Sequence, residues 1–189
     1  MKNIKRANIP KDLCYIEGND MMHYIHDMKI MNDFAKANRQ KMADIIISKM
    51  NWNVIESFST IHNYVDTEYM ILRKGSVSAR KDEKLIIPIN MRDGSLICIG
   101  KGNNEWNQSA PHGAGRLMSR GEAREQIDME EYRASMKDIW STSVCEATID
   151  ESPMAYKPME SIIENVKDTV DILSVIKHVN NFKASNKNS

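Results

Sequence analysis

The sequence predicts an α+β domain with a mixed or antiparallel central sheet flanked by helices, and three observations point there. Apolar residues recur at helical spacing for about thirty positions after residue 20. Residues 68–100 then break into short β-prone runs separated by turn-forming residues. Helical spacing returns beyond residue 128. The 189 residues suit a single domain with enough chain to bury a core.

Taken in order, residues 1–18 read as an irregular lead-in, with Pro10 and Gly18 as breakers. A helix starts near Asn19 or Asp20, either of which can serve as its N-cap. It carries Met21, Ile25, Met28, Phe34, Ala35, Met42, Ile45, Ile46 and Met50 at roughly helical period. His23 and His26 lie three apart on it and are read as amphipathic surface, because two ligands do not make a metal site. Strands are expected at Glu68 to Arg73, Ser76 to Ala79, Leu85 to Ile87 and Leu96 to Ile99. Lys74-Gly75, residues 81–84 and Arg92-Asp93-Gly94 supply the turns. Asp128, with Glu131 three later, opens a helix over residues 129–136 as a capping box does. Val144 to Ile149 is a further candidate strand. A last helix begins near Pro158, suited to a first helical turn, with Met159, Ile162, Ile163, Val166, Val170, Leu173 and Ile176 on its buried stripe. Val179 to Lys183 is expected to be extended, and Ala184 to Ser189 to be a disordered polar tail.

Composition narrows the function classes. With 26 basic and 26 acidic side chains the chain has no net charge, so contact with nucleic acid has to come from a local patch. Cys14, Cys98 and Cys145 are odd in number and show no CxxC spacing, which argues against a disulfide framework or a self-contained zinc site and for a reducing cytoplasm. The basic start is followed by no apolar core of a signal peptide, and no run approaches the roughly 18 apolar residues of a membrane span. The 14 methionines read as flexible core filler.

The stretch Ala110-Pro111-His112-Gly113-Ala114-Gly115-Arg116 carries the chemistry. Glycines at 113 and 115 leave the imidazole uncrowded and let backbone approach a bound group closely. If a helix begins here, Arg116 and Arg120 share one face beside its N-terminal N–H groups, an anion cradle next to a histidine. A structural His-Gly turn is the alternative, and the company of other motifs decides between them. These are Thr60-Ile61-His62-Asn63-Tyr64, Leu72-Arg73-Lys74-Gly75, Ile87-Pro88-Ile89-Asn90-Met91, Gly100-Lys101-Gly102-Asn103, residues 150–157 and Asn181-Phe182-Lys183-Ala184.

In this order the set resembles the carboxy-terminal half of the RtcB family of GTP-dependent RNA ligases. The resemblance runs from about Leu13 to Lys183 and covers half of a typical ligase. It implies an RtcB-like fold, present as one partial domain, and an enzyme that joins RNA 3′-phosphate or 2′,3′-cyclic phosphate ends to 5′-hydroxyl ends. The implied cofactors are GTP and manganese (Mn2+), and the implied intermediate is a guanylylated histidine, which falls on His112. Histidine suits nucleophilic catalysis at phosphorus because its neutral ring offers a lone pair near neutral pH.

The same resemblance makes His62 a metal ligand. It assigns Asn63, Pro88, Ile89, Asn90, Met91, Ser95, Gly113, Ala114, Gly115, Tyr156 and Lys183 to the nucleotide. Core packing is the alternative for Tyr156, and ordinary strand and tail positions are the alternatives for Ser95 and Lys183. Ile89 and Asn90 stand where Gly-Ser is usual in the family, Arg92 stands in place of glycine, and Ala184 and a tail follow Lys183. The family's remaining metal ligands sit in an amino-terminal half for which this chain has no counterpart. The expected partners are therefore RNA and a separate or missing half. A truncated nucleotide- or RNA-binding module that does not ligate is the second reading.

Overall fold

The computed structural model describes residues 14–181. The first part of the expected lead-in, Lys183 and the polar tail lie outside the described residues. The chain divides into two compact units, one made of residues up to Ser57 with Val65–Met70, the other of Phe58–Tyr64 with everything from Ile71 on.

The first unit is dominated by helix α1, Gly18–Met50. It begins slightly earlier than the capping residues suggest, with Glu17 at the N-cap and Gly18, φ +58°, in the first position. It stops where Asn51 turns left-handed at φ +53°, and the N–H of Trp52 then caps the Ile47 carbonyl at 3.1 Å. In the same unit the buried Asp66 carboxylate accepts the N–H groups of Glu68 and Tyr69 at 3.2 and 3.3 Å, which shapes the turn that follows it.

The remaining strands are β1 (His62–Asp66), β2 (Ile71–Ser78), β3 (Lys84–Asn90), β4 (Gly94–Gly100), β5 (Ser109–Pro111), β6 (Trp140–Ser141), β7 (Val170–Ile176) and β8 (Asn180–Asn181). They form sheets in the orders β1-β2-β5, β3-β4-β7 and β6-β8. The β2–β5, β3–β4 and β4–β7 pairings run antiparallel, and β6–β8 is parallel. The fold is thus mixed α+β, as the composition of runs predicts.

Four local expectations are corrected. The Lys74-Gly75 turn is absent, because Gly75 takes φ +70° inside β2 and the strand runs through it. Val144 to Ile149 is not a strand; Glu146–Glu151 is a 3-10 helix, tied down by the buried Thr148 hydroxyl, which bonds the carbonyls of Cys145 and Ser143. The last helix, α4, is only Met159–Asn165, preceded by Pro158 at its N-cap. Its expected continuation is β7, which pairs with β4 through Leu96↔Val175, Cys98↔Ile172 and Gly100↔Val170. Thr169 closes the helix by bonding Val166 O through both its N–H and its hydroxyl, and the β-branched run that follows then packs as a strand. Finally, no helix starts at His112. Helix α2 is Arg120–Gln126, and Ser119 and Glu122 close its N-terminus in a reciprocal capping box, so those N–H groups are already used.

Asp128 does cap α3, Met129–Ser135, accepting from the N–H groups of Glu130 and Glu131. Pro88 is tolerated in β3 because β3 pairs with β4 alone, which leaves it an edge strand. The main core joins Val77, Leu85, Ile87, Leu96, Cys98 and Val170 with Ile162 of α4. A second cluster gathers Met91, Tyr132, Met136 and Ile149.

Candidate functional site

Strand β5 delivers His112. Ala110 pairs with Val77 of β2 and is buried, so the chain leaves the sheet at Pro111 with the next side chain in the open. The His112 N–H points at the Gly75 carbonyl at 3.4 Å, and a Cβ added at Gly75 would sit 3.7 Å from the imidazole. The following residues are stitched to two other segments. Ala114 N–H bonds Pro88 O at 3.0 Å, and Gly115 O accepts from Lys157 N at 3.1 Å. Gly113 passes so close to β3 that an added Cβ would lie 3.2 Å from Pro88 O, and Gly115 takes φ +72°.

His62, at the start of β1, stacks on His112 with ring centroids 5.1 Å apart and planes 14° from parallel. Both histidines are exposed. Asn63 beside it takes φ +58° and turns its carboxamide oxygen onto Gly75 N–H at 2.8 Å. That bond links β1 to the point in β2 against which His112 rests.

His112 opens onto a cleft of about 670 Å3. Of the nucleotide assignments, residues 88–91, Ser95, residues 113–115 and Tyr156 all line it, whereas His62 and Asn63 flank His112 without contributing to the wall. Several contribute backbone more than side chain. Ile89, Met91 and Ala114 are buried in the hydrophobic cores, and Met91 Sδ accepts the Tyr132 hydroxyl at 3.3 Å. The Asn90 carboxamide is spent inside the β3–β4 loop, on Asp93 Oδ2 and on the N–H groups of Arg92 and Asp93. Ser95, on β4, is 6% exposed.

A charged wall completes the cleft with Arg116, Arg120, Glu151 and Tyr156. Arg116 is not a free anion hook: it donates to Met118 O, Asp150 O and the Tyr156 hydroxyl at 3.1, 2.6 and 3.2 Å, and its guanidinium lies 5.0 Å from the Tyr156 ring centre. Arg120 bridges Asp150 and Glu151 at 2.5 and 2.6 Å, and these two carboxylates hold its pKa above the usual arginine value. Tyr156 donates to Glu151 at 2.7 Å, and burial, aided by that carboxylate, pushes its hydroxyl up to about 12. Sequence reasoning placed Arg116 and Arg120 on one helical face. They instead meet at Asp150 from a loop and from α2.

The sequence reading also missed His178 and Asn181, which line the cleft from the segment after β7. His178 lies in no motif, Asn181 opens the Asn181-Phe182-Lys183-Ala184 stretch of which only Lys183 was assigned a role, and a helix projected through Ile176 hid the turn that carries both. A metal finds an incomplete ligand set: among the described residues no group of three His, Cys, Asp or Glu could hold an ion. His62 supplies one imidazole.

A family model described as "tRNA-splicing ligase RtcB" matches residues 1–184. An RNA-splicing ligase RtcB1 of Escherichia coli is 32% identical over 188 residues, covering 89% of this chain and 46% of that protein. The RNA-splicing ligase RtcB of Escherichia coli K12 is 30% identical over the same length and coverage. A tRNA-splicing ligase RtcB of Aeropyrum pernix is 28% identical over 201 residues, covering 85% of this chain and 42% of that protein. The chain therefore spans a little under half the length of these relatives.

Proposed function

Since this chain belongs to the RtcB family of tRNA-splicing ligases, we propose that it is the nucleophile-bearing part of an RNA ligase. The ligase joins 3′-phosphate or 2′,3′-cyclic phosphate ends to 5′-hydroxyl ends, and His112 carries the guanylate. One observation bears most of the weight. His112 is exposed, ring-stacked on His62, and set at the mouth of a cleft whose walls are the residues matching the family's nucleotide motifs.

An imidazole nitrogen of His112 forms a bond to the α-phosphorus of GTP while the bond to the bridging oxygen breaks and pyrophosphate departs. Gly75 and Pro88 fix the backbone on either side of the nucleophile, so the ring reaches the cleft without side chains crowding it. Glycines at 113 and 115 allow close approach of phosphate oxygens to the backbone. Ser95 and the backbone of residues 88–91 form the wall assigned to the base.

Manganese favours oxygen and imidazole donors in larger number than this chain supplies. The residues described here do not by themselves fit the ion. Under this reading the missing ligands come from the portion of an RtcB ligase that this chain does not match. That same observation favours the second reading, a nucleotide- or RNA-binding module that does not ligate.

The test is incubation with α-labelled GTP and Mn2+, alone and with the amino-terminal half of a full-length relative. Acid-labile label retained by this chain and abolished by His112→Ala is the expected result. Absence of label in both conditions, with GTP still bound, favours the binding module and refutes guanylylation.

A further inference from the structure

The β3–β4 loop and its two strand ends line one side of the cleft. Internally the loop is a closed unit. Asn90 Oδ1 accepts from Arg92 and Asp93 N–H at 2.9 and 2.8 Å, and Arg92 grips the Asp93 carboxylate through Nε and Nη2 at 2.7 and 2.9 Å. These bonds fix the loop's shape and leave its tilt on the two strand ends unspecified. A rigid loop on two strand ends can lean into the cleft or away from it.

Two side chains from the segment after β7 set that tilt. His178 Nε2 lies 3.1 Å from Asn90 O, and Asn181 Nδ2 donates to Met91 O at 3.4 Å. A carbonyl oxygen can only accept, so Nε2 of His178 carries the proton. The segment is itself anchored: Ser141 Oγ donates to Asn181 O at 2.7 Å, and β8 pairs in parallel with β6. Both side chains also face the cleft beside the loop they hold.

We propose that His178 and Asn181 are positioning residues that clamp the β3–β4 loop in the orientation that forms the nucleotide wall, and that His178 is the stronger of the two holds. The proposal rests on the reading of the cleft as a guanine nucleotide site. Glutamine can donate to the same carbonyl from its amide, so His178→Gln preserves the clamp and His178→Ala removes it.

The experiment compares the full chain with both variants by GTP titration calorimetry and by hydrogen exchange of the amides of residues 91–95. His178→Ala is expected to weaken GTP binding about five- to tenfold, the effect of one lost hydrogen bond. It should also speed exchange in that loop alone, and His178→Gln should restore both. If His178→Ala leaves loop exchange unchanged, or speeds it equally across the sheet, the clamp is refuted. If the wild-type chain binds no GTP, the nucleotide reading of the cleft fails, and loop exchange still decides whether His178 holds the loop.

Discussion

Gly94 offers the sharpest test of how the cleft is built. It takes φ +93° at the start of β4, and a Cβ there would lie 1.9 Å from Ile176 O, 3.0 Å from Ile176 C and 3.1 Å from Lys177 Cα. All three neighbours are backbone, so no rotamer change relieves the contact. An ordinary carbon–oxygen separation is about 3.5 Å, so β4 and the end of β7 must part by roughly 1.5 Å. That parting disrupts the Ser95↔Ile176 end of the ladder. Forcing alanine into left-handed backbone costs about 1–2 kcal/mol. Losing one or two ladder hydrogen bonds adds about 0.5–1.5 kcal/mol each. Gly94→Ala should therefore destabilise by about 1.5–5 kcal/mol and lower Tm by roughly 3–20 °C for a chain of this size. Gly115→Ala is the control: it has φ +72°, yet its nearest atom is Lys157 Cε at 4.0 Å, so it pays the strain alone. Urea unfolding of both variants, read by circular dichroism, separates clash from strain. If Gly94→Ala is no less stable than the control, the close approach of β4 and β7 does not govern this edge.

Two further outcomes follow from burial. Cys98 sits fully inside the main core, where burial pushes its thiol up to about 11, while Cys14 is exposed. At pH 8 only about one Cys98 in a thousand is thiolate, so a maleimide should label Cys14 quickly and Cys98 only after unfolding; peptide mapping that finds both labelled at one rate overturns this. Tyr156, raised to about 12 from the ordinary 10, favours the protonated hydroxyl in the folded state. Its contribution is complete below pH 10 and drains away between pH 10 and 12, as the unfolded chain ionises first. Tyr156→Phe should therefore show a shallower alkaline loss of stability than wild type, and equal slopes in chemical unfolding from pH 9 to 12 would remove this role.

Much of the architecture was readable where a local signal was unambiguous. The Arg92-Asp93-Gly94 turn sits between two apolar runs and does join β3 to β4, and Asp128 does cap α3. The expectation for α4 failed because residues 159, 162, 163, 166 and 170 satisfy helical spacing while residues 170–176 also satisfy a strand, and pairing with β4 chose the strand. Strand β1 was invisible because His62-Asn63-Tyr64-Val65-Asp66 carries little apolar character, and its place depends on partners distant in sequence. The side-chain bonds of the motif residues depend on neighbours that residue type alone does not name. Asn63 and Asn90 both read as ligand contacts, and in the structure the side chain of the first bonds Gly75 and that of the second folds its own loop.

Basic and acidic side chains offset one another on the wall beside His112. Arg116 and Arg120 line this wall and Arg124 lies behind it on Asp150, whose carbonyl accepts from Arg116 and whose carboxylate accepts from Arg120 and Arg124, while Glu151 takes a second bond from Arg120. Three cations face two carboxylates, so the local charge is largely balanced, and Arg120 meets both carboxylates through Nη1. Of the two on the wall, Arg120 is the more open to a phosphate, because its side chain remains 63% exposed while Arg116 is held by three separate acceptors. Under the ligase reading, the attraction this wall offers an RNA backbone is therefore short-ranged, set by hydrogen bonds at Arg120 and near Gly113 and Gly115 and not by a long-range field. Under the ligase reading, the steering of RNA toward His112 falls to the part of the enzyme that also brings the missing metal ligands.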